Sequence, residues 1–398
     1  MQFLFGDHVL DVERRELRRG AALVALEPQV FDLLIYLLKN RDRVVSKDDL
    51  IEGVWGGRIV SESTLTSRIT AARKAVGDSG EEQRLIRTVA RKGIRFVGAV
   101  SEQTKPAPSD PPAVKAPAPG LRHDIHFCTA SDGARIAYAQ VGQGRALVKA
   151  ANWLNHLEYD WQSPVWSHLL HELAAEHRLV RYDTRGNGLS DWDVNDISFD
   201  AFVRDLESVI DAARLDRFAL LGISQGCAIS IAYTVRNPER VSHLVLYGGF
   251  ARGRRQRGSL EGIAESEALI TLMRQGWGQE NPAFRQIFTS LFIPGATLEQ
   301  IQWFNDLMRV STSPANAVRL RRAVDDIDIS DLLPRVGVPT LVMHCRDDAV
   351  QPFDEGRRLA AGIPGARFVA LDGRNHLILE SDPAWNRFVA EIKGFVAS

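Results

Sequence analysis

The chain is poor in cysteine. Three stand among its 398 residues, Cys128, Cys227 and Cys345, too scattered for a disulfide framework or a clustered zinc site. They read as buried thiols of a reducing compartment, and no metal and no cofactor is expected. Long apolar runs are also missing. The longest uncharged run, Phe218 to Val235, is interrupted by glycines, serines and Gln225, which suits a strand, a turn and a buried helix rather than a membrane span. The opening stretch, MQFLFGDHVLDVERRELRRG, meets charges before any apolar segment long enough for a secretory signal. Net charge is nearly absent as well, at −1. These features exclude the secreted disulfide-rich and membrane-spanning classes and leave a cytoplasmic globular protein with no membrane partner.

The near-zero total hides an asymmetry. Residues 1–100 carry a net charge of +3 and residues 121–398 a net charge of −4. Between them lies SEQTKPAPSDPPAVKAPAPG, Ser101 to Gly120, with six prolines and almost nothing able to fill a core. Pro/Ala alternation favours polyproline II at about 3.1 Å per residue, so such a linker spans up to roughly 60 Å. Three segments follow: residues 1–100, a linker at 101–120 and a body at 121–398.

In the basic head, Val30, Phe31, Leu34, Leu37 and Leu38 form a helical stripe. Ser46 and Asp49 make a capping box for a second helix running through Trp55. A third helix, from about Ser61 to Val76, sets Leu65, Ile69, Ala72 and Val76 on one face. Its other face presents Ser63, Ser67, Thr70 and Lys74, flanked by Thr66, Arg68 and Arg73, short polar and basic groups suited to base edges and phosphates. LIRTVARKGIRFVGAV then reads as a hairpin with a basic tip at Arg91 and Lys92. This segment resembles the OmpR/PhoB-type winged helix nearly end to end. The resemblance implies that the third helix enters the major groove of double-stranded DNA, with Ser63, Ser67, Arg68 and Arg73 at contact positions. Arg91 and Lys92 then reach the minor groove or backbone. Because several contact positions are small and uncharged, binding as a homodimer on tandem half-sites is expected.

The body contains LLGISQGCAIS. Its G-x-S-x-G core, between an apolar strand and a helix, permits a sharp turn that lifts the Ser224 hydroxyl from a sheet. A hydroxyl needs a base, and the base needs an orienting carboxylate. Both follow in the order Ser, Asp, His: TLVMHCRDDAVQP ends a strand at Asp347-Asp348, and FVALDGRNHLIL ends another before His376. With these pieces the body resembles the α/β-hydrolase superfamily. That resemblance implies Ser224 as nucleophile, His376 as general base and Asp348 as acid, with Asp347 the alternative. The oxyanion donors it implies are the backbone N–H groups of Gln225 and Trp153. In ALVKAANWLNHLEYDW, Ala151-Asn152 stands where that family carries His-Gly, and asparagine tolerates the left-handed backbone such a turn needs. His156 and Glu158 are placed either near the pocket or in a capping or surface role. Residues about 251–328 lose the strand pattern, with Phe284, Phe288 and Phe292, then Trp303, Phe304 and Met308, in helical spacing. This reads as a helical cap over an apolar ligand cavity. The loop ARGRRQRG, Ala251 to Gly258, reads as an attractor for an anion or as a solvated entrance.

The expected fold is therefore α/β: an N-terminal winged helix joined by a Pro-rich linker to an α/β-hydrolase fold with a helical cap. The expected function is a one-component transcriptional regulator whose body senses, or senses and cleaves, a small apolar or ester-like ligand. The alternative is a working esterase or lactonase with an accessory DNA-binding module.

Overall fold

The computed structural model describes residues 2–12, 16–20, 22–24, 26, 28–55, 62–89, 92–103, 123–279 and 281–398. The chain divides into two compact units, residues 1–114 and 115–398.

The first unit is a winged helix preceded by a sheet. Strands Gln2–Phe5, His8–Asp11, Glu16–Arg19 and Ala22–Val24 pair antiparallel in chain order. Alternation buries Phe3, Phe5, Leu10 and Leu17 against the helices. Ser101–Gln103 adds a fifth strand beside Gln2–Leu4, so these three residues belong to the sheet and not, as their composition suggested, to the Pro/Ala-rich segment. Helices follow at Pro28–Lys39, Lys47–Trp55 and Glu62–Ala75, then the hairpin Ile86–Val89 and Gly93–Phe96. The capping box at Ser46 forms: the Asp49 N–H donates to Ser46 Oγ at 3.1 Å, and the Ser46 N–H to Asp49 Oδ2 at 2.9 Å. Leu33, Leu34, Leu37 and Leu38 have no exposed surface, each worth about 1.5–3 kcal/mol of burial.

The second unit is an eight-stranded sheet. In spatial order its strands are Arg367–Leu371, Thr340–Cys345, Val241–Tyr247, Phe218–Ile223, Ala146–Lys149, Arg178–Tyr182, Arg135–Val141 and Asp124–Thr129. The first six are parallel and the last two pair antiparallel at one edge. FALLGI and TLVMHC are buried at every residue, as expected of strands covered on both faces. Helices Ser167–Ala174, Phe199–Ala212, Gln225–Arg236, Phe353–Gly362 and Trp385–Ala397 intervene or follow. Between Tyr247 and Thr340 the chain leaves the sheet to form helices Leu260–Gly276, Ala283–Phe292, Leu298–Ser311 and Pro314–Asp325. An antiparallel bridge between Arg252 and Asp328 closes the base of this insertion. Phe288, Phe292, Phe304 and Met308 fill its interior.

Candidate active site and candidate nucleic-acid interface

Three strand ends converge. Strand Phe218–Ile223 stops at Ser224, whose backbone takes φ 55° and ψ −124° before helix Gln225–Arg236 begins. A non-glycine residue in this region costs on the order of 1–3 kcal/mol and persists only where its surroundings hold it. Here the Ser224 N–H donates to Tyr247 O at 2.9 Å, and Ser224 O accepts from the Cys227 N–H at 3.0 Å. The flanking glycines are required by space. A Cβ on Gly222 would lie 2.7 Å from Cys227 Cα, and one on Gly226 would lie 2.9 Å from Ala151 O.

Strand Thr340–Cys345 leads to the turn carrying Asp347 and Asp348. Asp347 is exposed, and Asp348 is buried. The Asp348 Oδ2 lies 2.6 Å from His376 Nδ1, while its Oδ1 accepts from the N–H groups of Val350 (2.8 Å) and Gln351 (3.0 Å). Burial alone would raise this carboxyl, but His376 and the Gln351 N–H outweigh it and hold Asp348 below the ordinary carboxylate range. His376 is fully buried. Its N–H donates to Phe292 O at 2.8 Å, and its ring meets Phe292 of the cap edge-on at 5.3 Å. His376 Nε2 is buried without a partner among the described residues. Ser224 is 4% exposed.

Gln225 is the first residue of its helix, so its N–H has no intrahelical acceptor and sits at the positive end of the helix dipole. On the facing turn, Trp153 is buried and meets Trp277 edge-on at 6.1 Å. Left-handed backbone occurs here at Leu154 (φ 43°), one residue beyond Trp153, and not at Asn152. Asn152 instead braces the turn: its Oδ1 accepts from Lys149 Nζ at 2.5 Å, and its Nδ2 donates to Trp153 O at 3.2 Å. Lys149 is buried over the Trp166 ring. Burial lowers the ammonium to about 8 and raises the nearby Asp160 to about 7. Sequence reading passed over Lys149, because a lysine ending the strand ALVK looks like a surface residue. His156 caps helix Leu157–Trp161, accepting from the Tyr159 N–H at 3.3 Å, and Glu158 is exposed. His156 holds the capping role and Glu158 the surface one.

In the first unit, Leu65, Ala72 and Val76 face the core, while Thr66, Ser67, Thr70 and Lys74 are exposed along one side of helix Glu62–Ala75. Arg68 is half-buried and Lys92 exposed. A groove of about 640 Å³ runs between this helix and the hairpin, bordered by Lys47, Thr66, Thr70, Thr88 and Lys92. The side chain of Ser63 and the whole of Arg91 lie outside the described residues. Arg73 differs from its neighbours on this helix. It is 8% exposed, and its guanidinium donates to Ile86 O (3.0 Å) and Thr88 Oγ1 (2.8 Å). It ties helix to hairpin while lining the same groove, with its donors directed to the hairpin.

Comparison with known proteins agrees with this division. Residues 20–96 match the family described as "Transcriptional regulatory protein, C terminal", and residues 150–385 match the "Alpha/beta hydrolase family". Among curated relatives, "AB hydrolase superfamily protein YisY" of Bacillus subtilis is 25% identical over 63% of this chain and 92% of its own length. The "2-hydroxy-6-oxononadienedioate/2-hydroxy-6-oxononatrienedioate hydrolase" of Cupriavidus pinatubonensis is 30% identical over 56% of this chain and 78% of its own. Among solved structures, the esterase EaEST of Exiguobacterium antarcticum superposes with a TM-score of 0.58 at 25% identity, covering 68% of this chain and 99% of its own. Among the described residues, no helix is long and apolar enough to cross a membrane. The chain belongs to the α/β-hydrolase family, with its hydrolase fold carried behind an OmpR/PhoB-type DNA-binding regulatory domain.

Proposed function

We propose that the chain is a one-component transcriptional regulator of the cytoplasm, in which the winged helix binds duplex DNA as a homodimer and the hydrolase unit recognises and cleaves a small ester-like ligand. The catalytic half rests on one observation: Ser224 stands on a strained elbow, and the buried His376–Asp348 pair offers an Nε2 with no other partner. In this reading His376 Nε2 takes the Ser224 proton as Oγ bonds to the ligand's carbonyl carbon. The Gln225 and Trp153 N–H groups receive the developing oxyanion. Collapse breaks the ester bond, and His376 returns the proton to the departing alcohol. Water then attacks the acyl-serine with His376 again as base, releasing the acid and restoring Ser224. Asp348 fixes the tautomer and faces the imidazolium.

The DNA half is supported by the exposed row Thr66, Ser67, Thr70 and Lys74 beside Lys92. Ser63, Arg68 and Arg91 complete the proposed contact set. Control follows if acylated or ligand-bound protein differs from free protein in DNA affinity.

Covalent labelling by a fluorophosphonate, read by intact mass, tests the catalytic half. Rapid labelling of wild type that is lost in Ser224→Ala and His376→Ala is the expected result. A folded wild type that stays unlabelled makes the body a non-catalytic receptor and removes the triad.

A further inference from the structure

The loop after strand Val241–Tyr247 carries ARGRRQRG, and the cap folds over part of it. Arg254 is 8% exposed and Arg321, from helix Pro314–Asp325, is 5% exposed. Arg252 and Arg257 are half-buried. Four guanidinium groups thus gather where two buried carboxylates, Asp325 and Glu355, are already occupied. Both oxygens of Asp325 are taken by Arg321, and Oδ2 also accepts from Ser266 Oγ at 2.6 Å. Glu355 Oε2 accepts from the N–H groups of Ala251 (3.0 Å) and Arg252 (3.2 Å). Its Oε1 is shared between Arg252 at 3.6 Å and Arg358 at 3.4 Å.

Arg254 and Arg257 are left with weak compensation. Arg254 donates to Val350 O at 3.3 Å and to Glu265, itself 62% exposed, at 3.1 Å. Its buried Nε has no acceptor among the described residues. Among the described residues Arg257 donates only to neutral oxygens, Arg252 O at 3.0 Å and Gln351 Oε1, and Glu355 opposes its charge without a direct bond. Burial, then the charge of Arg321, lowers Arg254 to about 10, and burial lowers Arg257 as well. An under-compensated cation in a water-poor site is costly until an anion completes it.

The position of the cluster decides what that anion is. Val350 and Gln351, which accept from Arg254 and Arg257, are the residues whose N–H groups hold Asp348 Oδ1. Arg321 lies 5.8 Å from the centre of the Trp153 ring. The arginines therefore reach from the Asp348 turn to the proposed oxyanion turn, on the cap side. We propose that Arg254 and Arg257, beside the Asp325-paired Arg321, form a subsite for a carboxylate on the substrate, so that the ligand cleaved at Ser224 is a monoester of a dicarboxylic acid. This rests on the catalytic reading above and names its substrate class. Planar guanidinium forks match carboxylate geometry better than any other side chain.

The test compares 4-nitrophenyl butyrate with mono-4-nitrophenyl glutarate, beside fluorophosphonate labelling. Wild type is expected to favour the glutarate by about tenfold or more in kcat/KM, and Arg254→Gln or Arg257→Gln to lower that preference by about tenfold. Should neither variant fold, wild type alone decides: glutarate must slow Ser224 labelling saturably while glutaramide does not. A labelled Ser224 with no preference for the anionic ester, or a preference unchanged in folded variants, overturns the subsite and leaves the hydrolase intact. An unlabelled Ser224 removes the catalytic reading and the subsite with it.

Discussion

Replacing Asp348 by Asn separates a catalytic acid from a residue that merely closes a turn. The two N–H groups of Val350 and Gln351 bind Oδ1, so in Asp348→Asn the amide oxygen takes that place. Its NH2 then faces His376 Nδ1, where Oδ2 now stands at 2.6 Å. An NH2 group only donates, so Nδ1 must be the bare nitrogen and Nε2 must carry the proton. In that tautomer His376 cannot accept from Ser224. The turn is retained and the base is lost. The expected penalty is about 10⁴-fold in the rate of Ser224 acylation, roughly 5.5 kcal/mol at 1.36 kcal/mol per decade. The assay is the second-order rate of fluorophosphonate labelling, with far-UV circular dichroism to show that the variant folds. Asp347→Asn, at an exposed position, should label within about twofold of wild type. A folded Asp348→Asn that labels within about tenfold of wild type refutes the tautomer argument.

Gly226→Ala places a methyl 2.9 Å from Ala151 O, forcing the elbow away from the oxyanion turn, and should slow labelling by about 10²-fold. Lys74→Ala and Lys92→Ala should weaken binding to all duplexes alike and each reduce the salt slope by about one unit, as phosphate contacts do; an unchanged slope in a fluorescence-anisotropy titration moves the interface elsewhere. Arg73→Ala should act instead on folding, lowering the stability of the first unit by about 1–3 kcal/mol because Ile86 O and Thr88 lose their donor, measurable by urea denaturation. Asp132, paired with the buried Arg185 at 2.5 Å, is lowered to about 2 by that hydrogen bond first. A depressed carboxyl stabilises above its unfolded value and stops doing so as pH falls through the folded one. Asp132→Asn should therefore melt below wild type at pH 7, with the gap closing between about pH 4 and pH 2; a gap independent of pH would show that the ion pair is not its origin.

The parts legible from sequence were those with local signals. The helical stripes, the Ser46 capping box and the glycine-flanked Ser224 each depend on residues a few positions apart. The N-terminal sheet was not legible, because strands such as ELRR and HVLD are short and charged, and only their pairing partners show which face is buried. Helical spacing places Arg73 beside polar residues at the groove but could not show its bonds to the hairpin, which lie 13 and 15 residues along the chain. Lys149 was passed over, and the arginines of ARGRRQRG were left between an anion attractor and a solvated entrance, for the same reason. Long cationic side chains are normally exposed, and only the cap and the Trp166 ring bury these. The choice between Asp347 and Asp348 likewise depended on a histidine 28 residues away from Asp348.

The coupling of the two units is the centre of the proposed function, and DNA affinity with and without an acylated serine tests it most directly. A duplex selected from a random pool by the full chain would be titrated with free protein and with protein fully phosphonylated at Ser224. The expected result is a change in Kd of about fivefold or more in either direction, the range of ordinary allosteric coupling. Equal affinities would contradict regulation through the hydrolase site and leave a serine hydrolase carrying an independent DNA-binding module.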